Sequence, residues 1–287
     1  MSNIKLVAVD IGGTLIDDNN KIPLKNIESL KSLKELGIKT CLITARMFSS
    51  TKYIGYSIDA DYGVFGNGNS VVSLRDSRII FSSIIPSDDV NKLIMFAKNH
   101  NLYIHLSSNF YEGSDEKNYF LLKHNILNDN YPDSLKSNVI LFDDIFNCQM
   151  QIGDIVNVIF VSEENMDEIY RMLKEEFPHL AITEYNKNLY ESAIDKTISY
   201  IEIGKSYSTK ATGLKILIDK LGIIEDEVLV IGDGVNDIEM FEQFHNSGCL
   251  VNGNMLAQEK ASYISKCTNN EAGVSEIVEH FVKRRNL

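Results

Sequence analysis

A doubly wound, parallel-sheet α/β core carrying an inserted α+β unit is the fold this sequence predicts, and three observations predict it. The apolar, β-branched run Ile4–Val9 reads as a buried strand that delivers Asp10 to a tight polar turn, Gly12-Gly13-Thr14. Strand and helix patterns alternate at both ends of the chain, but not in its middle. Four polar clusters fall at strand ends or at a helix start: Asp10, Thr44, Lys210, and Asp233 with Asp237.

The elements follow in order. After the Asp10 turn comes a polar, hairpin-like tip, Asp17-Asp18-Asn19-Asn20, expected to be a solvated loop. Pro23 opens a helix with Leu24, Ile27, Leu30 and Leu33 on one face, and Gly37 closes it. Ile38–Ile43 forms a second strand ending at Thr44-Ala45-Arg46, and a third near Tyr62–Phe65 runs into Gly66-Asn67-Gly68-Asn69. A βαβαβ series of this kind implies parallel strands with right-handed crossovers. The expected division is a core from residues 1–82 and 196–287, interrupted by an α+β domain from 83–195. Within the insert, helices are expected near Asp88–Asn99 and Asn165–Phe177, and strands near Leu102–Leu106, Val156–Val161 and Ala181–Tyr185. The Asn- and Asp-rich stretch Lys117–Asp154 carries no clear pattern. Beyond it, Ser208-Thr209 caps a helix over Lys210–Leu221, and Gly222 terminates that helix. A strand over Glu227–Ile231 leads into Gly232-Asp233-Gly234-Val235-Asn236-Asp237 and a helix from Ile238. A short strand near Cys249–Val251 leads to Asn252-Gly253-Asn254.

The bulk properties set limits. The 287 residues suffice for one large α/β domain or two modest ones, and 44% apolar with 24% charged residues are globular values. No apolar run is long enough to span a bilayer. The four cysteines are widely spaced, and no signal-like segment precedes the first strand, so a reduced, cytoplasmic protein is expected. A formal charge of −12 argues against nucleic-acid or anionic-membrane partners, but not against a small anionic substrate.

In an open parallel sheet the carboxyl ends of the strands line one crevice, where ligands bind. Asp10, Asp233 and Asp237 would meet there. Several carboxylates in one place are unfavourable unless a hard cation neutralises them, and a few carboxylates completed by water and a phosphate oxygen suit Mg²⁺. Thr44 and Lys210 would add a neutral and a cationic donor for a phosphoryl group, and the amides of the Gly12-Gly13-Thr14 turn could do the same.

The order Asp-x-x-Gly-Thr, a strand-end Thr, a Lys and then Gly-Asp-Gly-x-Asn-Asp resembles the haloacid dehalogenase superfamily. The Gly232–Asp237 string, Asn252-Gly253-Asn254 and the large insert look like its Cof-type branch, Mg²⁺-dependent phosphatases of sugar phosphates and other small phosphate esters. The resemblance covers about Ile4–Phe81 and Thr197–Phe281 and makes the insert a cap. It implies that Asp10 is the nucleophile, forming an aspartyl-phosphate, and also a metal ligand. It implies further metal ligands in the backbone carbonyl of Gly12, in Asp233 and in Asp237. Thr44 and Lys210 would hold phosphoryl oxygens, Gly13 and Thr14 would bind substrate through the turn, and Asn236 and Asn254 would orient Lys210 or the phosphate. Arg46 and Asn67 would edge the pocket. The family's phosphatases carry a second aspartate at position 12, which protonates the leaving alcohol and then activates water. Gly12 does neither, and such help is worth about a hundred- to ten-thousand-fold in rate.

Simpler and rival readings stand beside this one. Taken singly, Asp10 is a turn or helix-cap acid, Thr44 a strand-end hydroxyl satisfying backbone, Asn67 a turn residue and Lys210 a solvated surface lysine, although its place in a helix's first turn, where a cation opposes the dipole, favours function. A sugar kinase of the actin/hexokinase type also begins with strand-Asp-x-Gly-Gly-Thr, but joins two antiparallel strands through that turn. A catalytically impaired relative would bind phosphate esters without releasing phosphate. A third possibility replaces the missing acid with a neighbouring side chain or bound water, which suits good leaving groups such as aryl or acyl phosphates.

Overall fold

The alternation at the two ends of the chain becomes one sheet. The computed structural model describes residues 4–108, 118–121, 139–142, 154–162, 166–185 and 199–283. The first strands are β1 (Leu6–Asp10), β2 (Lys39–Ile43), β3 (Tyr62–Phe65), β4 (Ser70–Ser73) and β5 (Arg78–Ser82). A second group follows: β6 (Tyr103–Ser108), β7 (Asn118–Leu121), β8 (Val139–Phe142), β9 (Ile155–Ser162), β10 (Ala181–Tyr185) and β11 (Ser199–Gly204). The chain then supplies β12 (Val228–Gly232), β13 (Asn246–Cys249) and β14 (Tyr263–Ile264).

The first and last groups form an eight-stranded sheet in the order β14-β13-β12-β1-β2-β3-β4-β5. β1 lies between β12 and β2, parallel to both, with Val9 opposite Ile231 and Asp10 opposite Ile43. This register brings the carboxyl ends of three strands together, so Asp10, Thr44 and Asp233 leave the sheet side by side. Every residue of β1 and β12 is buried, as strands covered on both faces require. Leu214, Leu217 and Ile218 of the helix Lys210–Leu221 pack on β1 and β12 through Leu6, Ala8, Val228 and Val230. The parallel pairing of β1 with both neighbours rules out the sugar-kinase alternative, whose turn would join antiparallel strands.

Most elements fall where the sequence places them. The helix after Pro23 runs Leu24–Ser32, tightens over Leu33–Leu36 and ends at Gly37, whose left-handed φ of 72° favours glycine. Three features differ. The strand expected near Cys249–Val251 is Asn246–Cys249, because the backbone turns at Leu250 to donate to the Gly232 carbonyl. β3 is followed by an antiparallel partner, with Phe65 opposite Ser70, so Gly66-Asn67-Gly68-Asn69 is a hairpin turn. The acidic tip is tethered rather than free: Asp18 accepts from the side-chain amides of Asn269 and Asn270.

The chain divides into two compact units, one of residues 1–81 with 208–287 and another of residues 82–207. The second unit holds a six-stranded sheet in the order β10-β11-β9-β6-β7-β8. Its helices Ser87–Asn99 and Asp167–Glu176 pack on that sheet through Leu93, Phe96, Leu173, Ile104, Phe160 and Ile201. Its end lies beyond the expected 195/196 boundary, because β11 pairs antiparallel with both β9 and β10. Most of the unpatterned stretch Lys117–Asp154 lies outside the described residues. Among the described residues, no helix is long and apolar enough to cross a membrane.

Candidate active site

Lys210 organises the site. It is the first residue of the helix Lys210–Leu221, which Thr209 caps by accepting from the Thr212 amide. Helix starts seldom bury a cation, since the dipole opposes it, yet Lys210 is 1% exposed. Its Nζ donates to Asp10 Oδ1 at 2.6 Å and to Asp237 Oδ1 at 2.7 Å. Burial alone would push the lysine's pKa down, but the two carboxylates outweigh it and hold the ammonium above its ordinary value. A solvated surface role for Lys210 is therefore excluded.

The carboxylates answer to the same burial. Burial pushes the Asp10 carboxyl up to about 7; Lys210 opposes the rise, while Asp237 and Asp233 add to it. Asp233 is also raised by burial, against a hydrogen bond from Thr14 Oγ1 at 2.6 Å. Asp237 is fully buried, and its second oxygen accepts from the amides of Asp233 and Gly234 at 2.9 and 2.8 Å. It thus shapes the loop that presents Asp233.

The Gly12-Gly13-Thr14 turn lies against this loop. Gly13 has a φ of +73°, and a Cβ there would come within 2.3 Å of Asp233 Oδ2. Both demands require glycine. Gly13→Ala is expected to lower stability by about 1 to 3 kcal/mol and to displace the Asp233 carboxylate. A lowered midpoint in chemical denaturation, with weakened Mg²⁺ binding by calorimetry, checks this.

The other expected residues separate into those brought to the site and those held elsewhere. Thr44 is buried, and its Oγ1 accepts from the Arg46 amide at 3.1 Å. Asn67 lies in the left-handed turn with φ 50°, and its amide donates to the Thr44 carbonyl at 3.1 Å. The turn is pressed onto the Lys210 helix: a Cβ on Gly68 would lie 2.3 Å from the Thr209 carbonyl oxygen. Asn236 is not drawn to Lys210; its amide oxygen lies over Gly234, 2.7 Å from where a Cβ would stand. Asn254 reaches the loop only through its backbone, donating to the Asp233 carbonyl at 2.7 Å, while its side chain caps the helix Met255–Lys260.

Two residues that the sequence does not single out hold the turn. Asn252 donates from its side chain to the Gly13 carbonyl at 3.0 Å and accepts from the Asn269 amide at 2.9 Å. Asn269, itself buried, donates to the Ile16 carbonyl at 3.1 Å. The signal for Asn252 is present in Asn252-Gly253-Asn254; what sequence cannot tell is which asparagine faces inward.

Oxygens of Asp10, Asp233 and Asp237 lie within 4.8 Å of one another. Oδ1 of Asp10 and Oδ1 of Asp233 are engaged by Lys210 and Thr14, and no donor among the described residues reaches either Oδ2. Hard oxygen donors of this kind fit Mg²⁺. Asp237, with both oxygens committed, fits a place behind the directly binding pair.

The chain matches, over residues 7–278, the family model for haloacid dehalogenase-like hydrolases. It is 21% identical over 281 residues to the 5-amino-6-(5-phospho-D-ribitylamino)uracil phosphatase YcsE of Bacillus subtilis, covering 98% of this chain and 96% of that protein. It is likewise 21% identical over 279 residues to a phosphoglycolate phosphatase of Methanothermobacter thermautotrophicus, covering 97% of this chain and 99% of the relative. The fold superposes on a haloacid dehalogenase-like hydrolase from Bacteroides thetaiotaomicron with a TM-score of 0.76 at 19% identity, covering 96% of this chain and 99% of that one. A match spanning both halves of the core and the insert between them goes well beyond the Asp10 turn, and with it the chain belongs to the haloacid dehalogenase-like hydrolases, in their Cof-type branch.

Proposed function

We propose that the chain is a Mg²⁺-dependent phosphatase of small phosphorylated metabolites, using Asp10 as the nucleophile. The observation that carries this reading is the buried Lys210 clamp on Asp10, beside two further carboxylates. Lys210 opposes the burial that favours the protonated acid, and its remaining donor can hold a phosphoryl oxygen. An Asp10 oxygen attacks phosphorus, and the ester oxygen leaves with the bonding electrons. Water then attacks the aspartyl-phosphate at phosphorus and releases Asp10 and inorganic phosphate. Thr44 and the amides of the Gly13-Thr14 turn are read as further phosphoryl donors. Mg²⁺, held by Asp10 and Asp233 with Asp237 behind them and the Gly12 carbonyl adding a ligand, would offset the charge that builds on the phosphoryl group. Arg46 and Asn67 are assigned the rim. The inserted unit is read as the cap that selects among substrates, and the two phosphatase relatives act on unlike compounds.

The test is phosphate release from a panel of phosphate esters with Mg²⁺. Release is expected, to cease with chelator and return when Mg²⁺ is restored. No release from any member of the panel overturns the reading. Gly12 supports the second reading, a protein that binds esters without turnover. That reading predicts Mg²⁺-dependent binding by calorimetry with no phosphate produced.

A further inference from the structure

Nothing in the backbone obliges residue 12 to be glycine. Its φ of −75° and ψ of 126° are open to any residue. A Cβ built there meets only the Nη2 of Arg46, at 3.7 Å, an ordinary contact with the end of a flexible side chain. The missing side chain therefore leaves space beside a guanidinium, two residues after Asp10. Arg46 is held in place there. Its main chain is pinned on both sides, the amide donating to Thr44 Oγ1 at 3.1 Å and the carbonyl accepting from Gly66 at 3.0 Å. Its side chain is exposed and forms no salt bridge among the described residues. A guanidinium offers five donors and stays charged, but it gives up no proton.

We propose that the space over Gly12 and the Arg46 guanidinium form the leaving-group side of the site, restricting the chain to phosphates whose departing oxygen is stable as an anion, acyl and aryl phosphates. This rests on the phosphatase reading above. As the Asp10–phosphorus bond forms, the phosphorus–oxygen bond to the leaving group breaks. Its electron pair stays on that oxygen, which departs as a carboxylate or phenolate hydrogen-bonded to Arg46. No proton is transferred in that step. An alkoxide leaving group would need one, and neither Gly12 nor Arg46 supplies it.

The experiment measures kcat/KM against leaving-group pKa for acetyl phosphate, 4-nitrophenyl phosphate, phenyl phosphate and glucose 6-phosphate. A steep fall with rising pKa is expected, the alkyl ester trailing by about the hundred- to ten-thousand-fold that a proton donor is worth. Arg46→Gln should lower the acyl and aryl rates about ten- to a hundred-fold by removing a charged hydrogen bond. Gly12→Asp should narrow the gap by raising the alkyl rate about a hundred-fold, the low end of proton-donor help, because the nearby guanidinium favours the ionised acid. A flat dependence on leaving-group pKa overturns this inference and leaves the phosphatase reading standing. So do acyl and aryl rates untouched by Arg46→Gln. No release from any of the four, acetyl phosphate included, overturns both.

Discussion

Asp10→Asn is expected to leave the chain folded and to abolish phosphate release, a loss on the order of ten-thousand-fold or more. The two halves of that result have separate causes. The amide cannot act as a nucleophile toward phosphorus, and the remaining carboxylates cannot take its place. Asp237 has both oxygens committed, to Lys210 and to two backbone amides, and Asp233 is engaged by Thr14 rather than by Lys210. Stability should survive, because an Asn oxygen can still accept from Lys210 and Asp237 still neutralises it. Metal-free, the natural site holds three carboxylates near one ammonium, so removing a negative charge relieves repulsion. The variant should therefore melt no lower than the natural protein in chelator. Phosphate release comparable to that of the natural chain would remove Asp10 as the nucleophile. A collapsed melting temperature would show that Asp10 is needed to build the site.

Lys210→Met is expected to cost activity and stability together. Methionine fills much of the space, but Asp10 and Asp237 lose their shared cation while remaining buried. Breaking a buried ion pair by deleting one partner costs about 3 to 5 kcal/mol. The pH dependence identifies the cause. Without Lys210, Asp10 rises above a value that burial already pushes up to about 7, so at neutral pH the nucleophile carries a proton and the reaction stops. Raised folded-state carboxyl pKa values mean that the native state binds more protons than the unfolded state, so the variant loses stability as pH rises. The deficit against the natural protein should be larger at pH 8 than at pH 5, measured by urea denaturation in chelator. A deficit that does not change with pH would trace the loss to packing instead of charge.

The core is legible in the sequence because its signals are local. Apolar runs of strand length, a Pro before one helix, a Thr cap before another and glycines after both mark the elements of the parallel sheet, and each mark works within a few residues. The antiparallel β3–β4 hairpin is less visible, since the glycine-rich turn that makes it suits the edge of a phosphate pocket equally well. The late end of the inserted unit is hidden for a related reason. Ser199–Gly204 reads as a strand in either unit, and only its pairing with β9 and β10 assigns it to the second.

By itself the sequence determined the family and the core, and it put Asp10, Thr44, Lys210, Asp233 and Asp237 at strand ends and a helix start, because those positions are fixed wherever the parallel sheet forms. Tertiary structure alone decided how they share charge: which oxygens Lys210 and Thr14 engage, and that Asn252 rather than Asn254 sends its side chain to the turn. It also placed the Arg46 guanidinium beside Gly12. The contacts of Lys210 with Asp10, of Thr14 and of Asn252 cross some 200 residues or more, the Arg46 placement joins the turns after two different strands, and no local pattern encodes either.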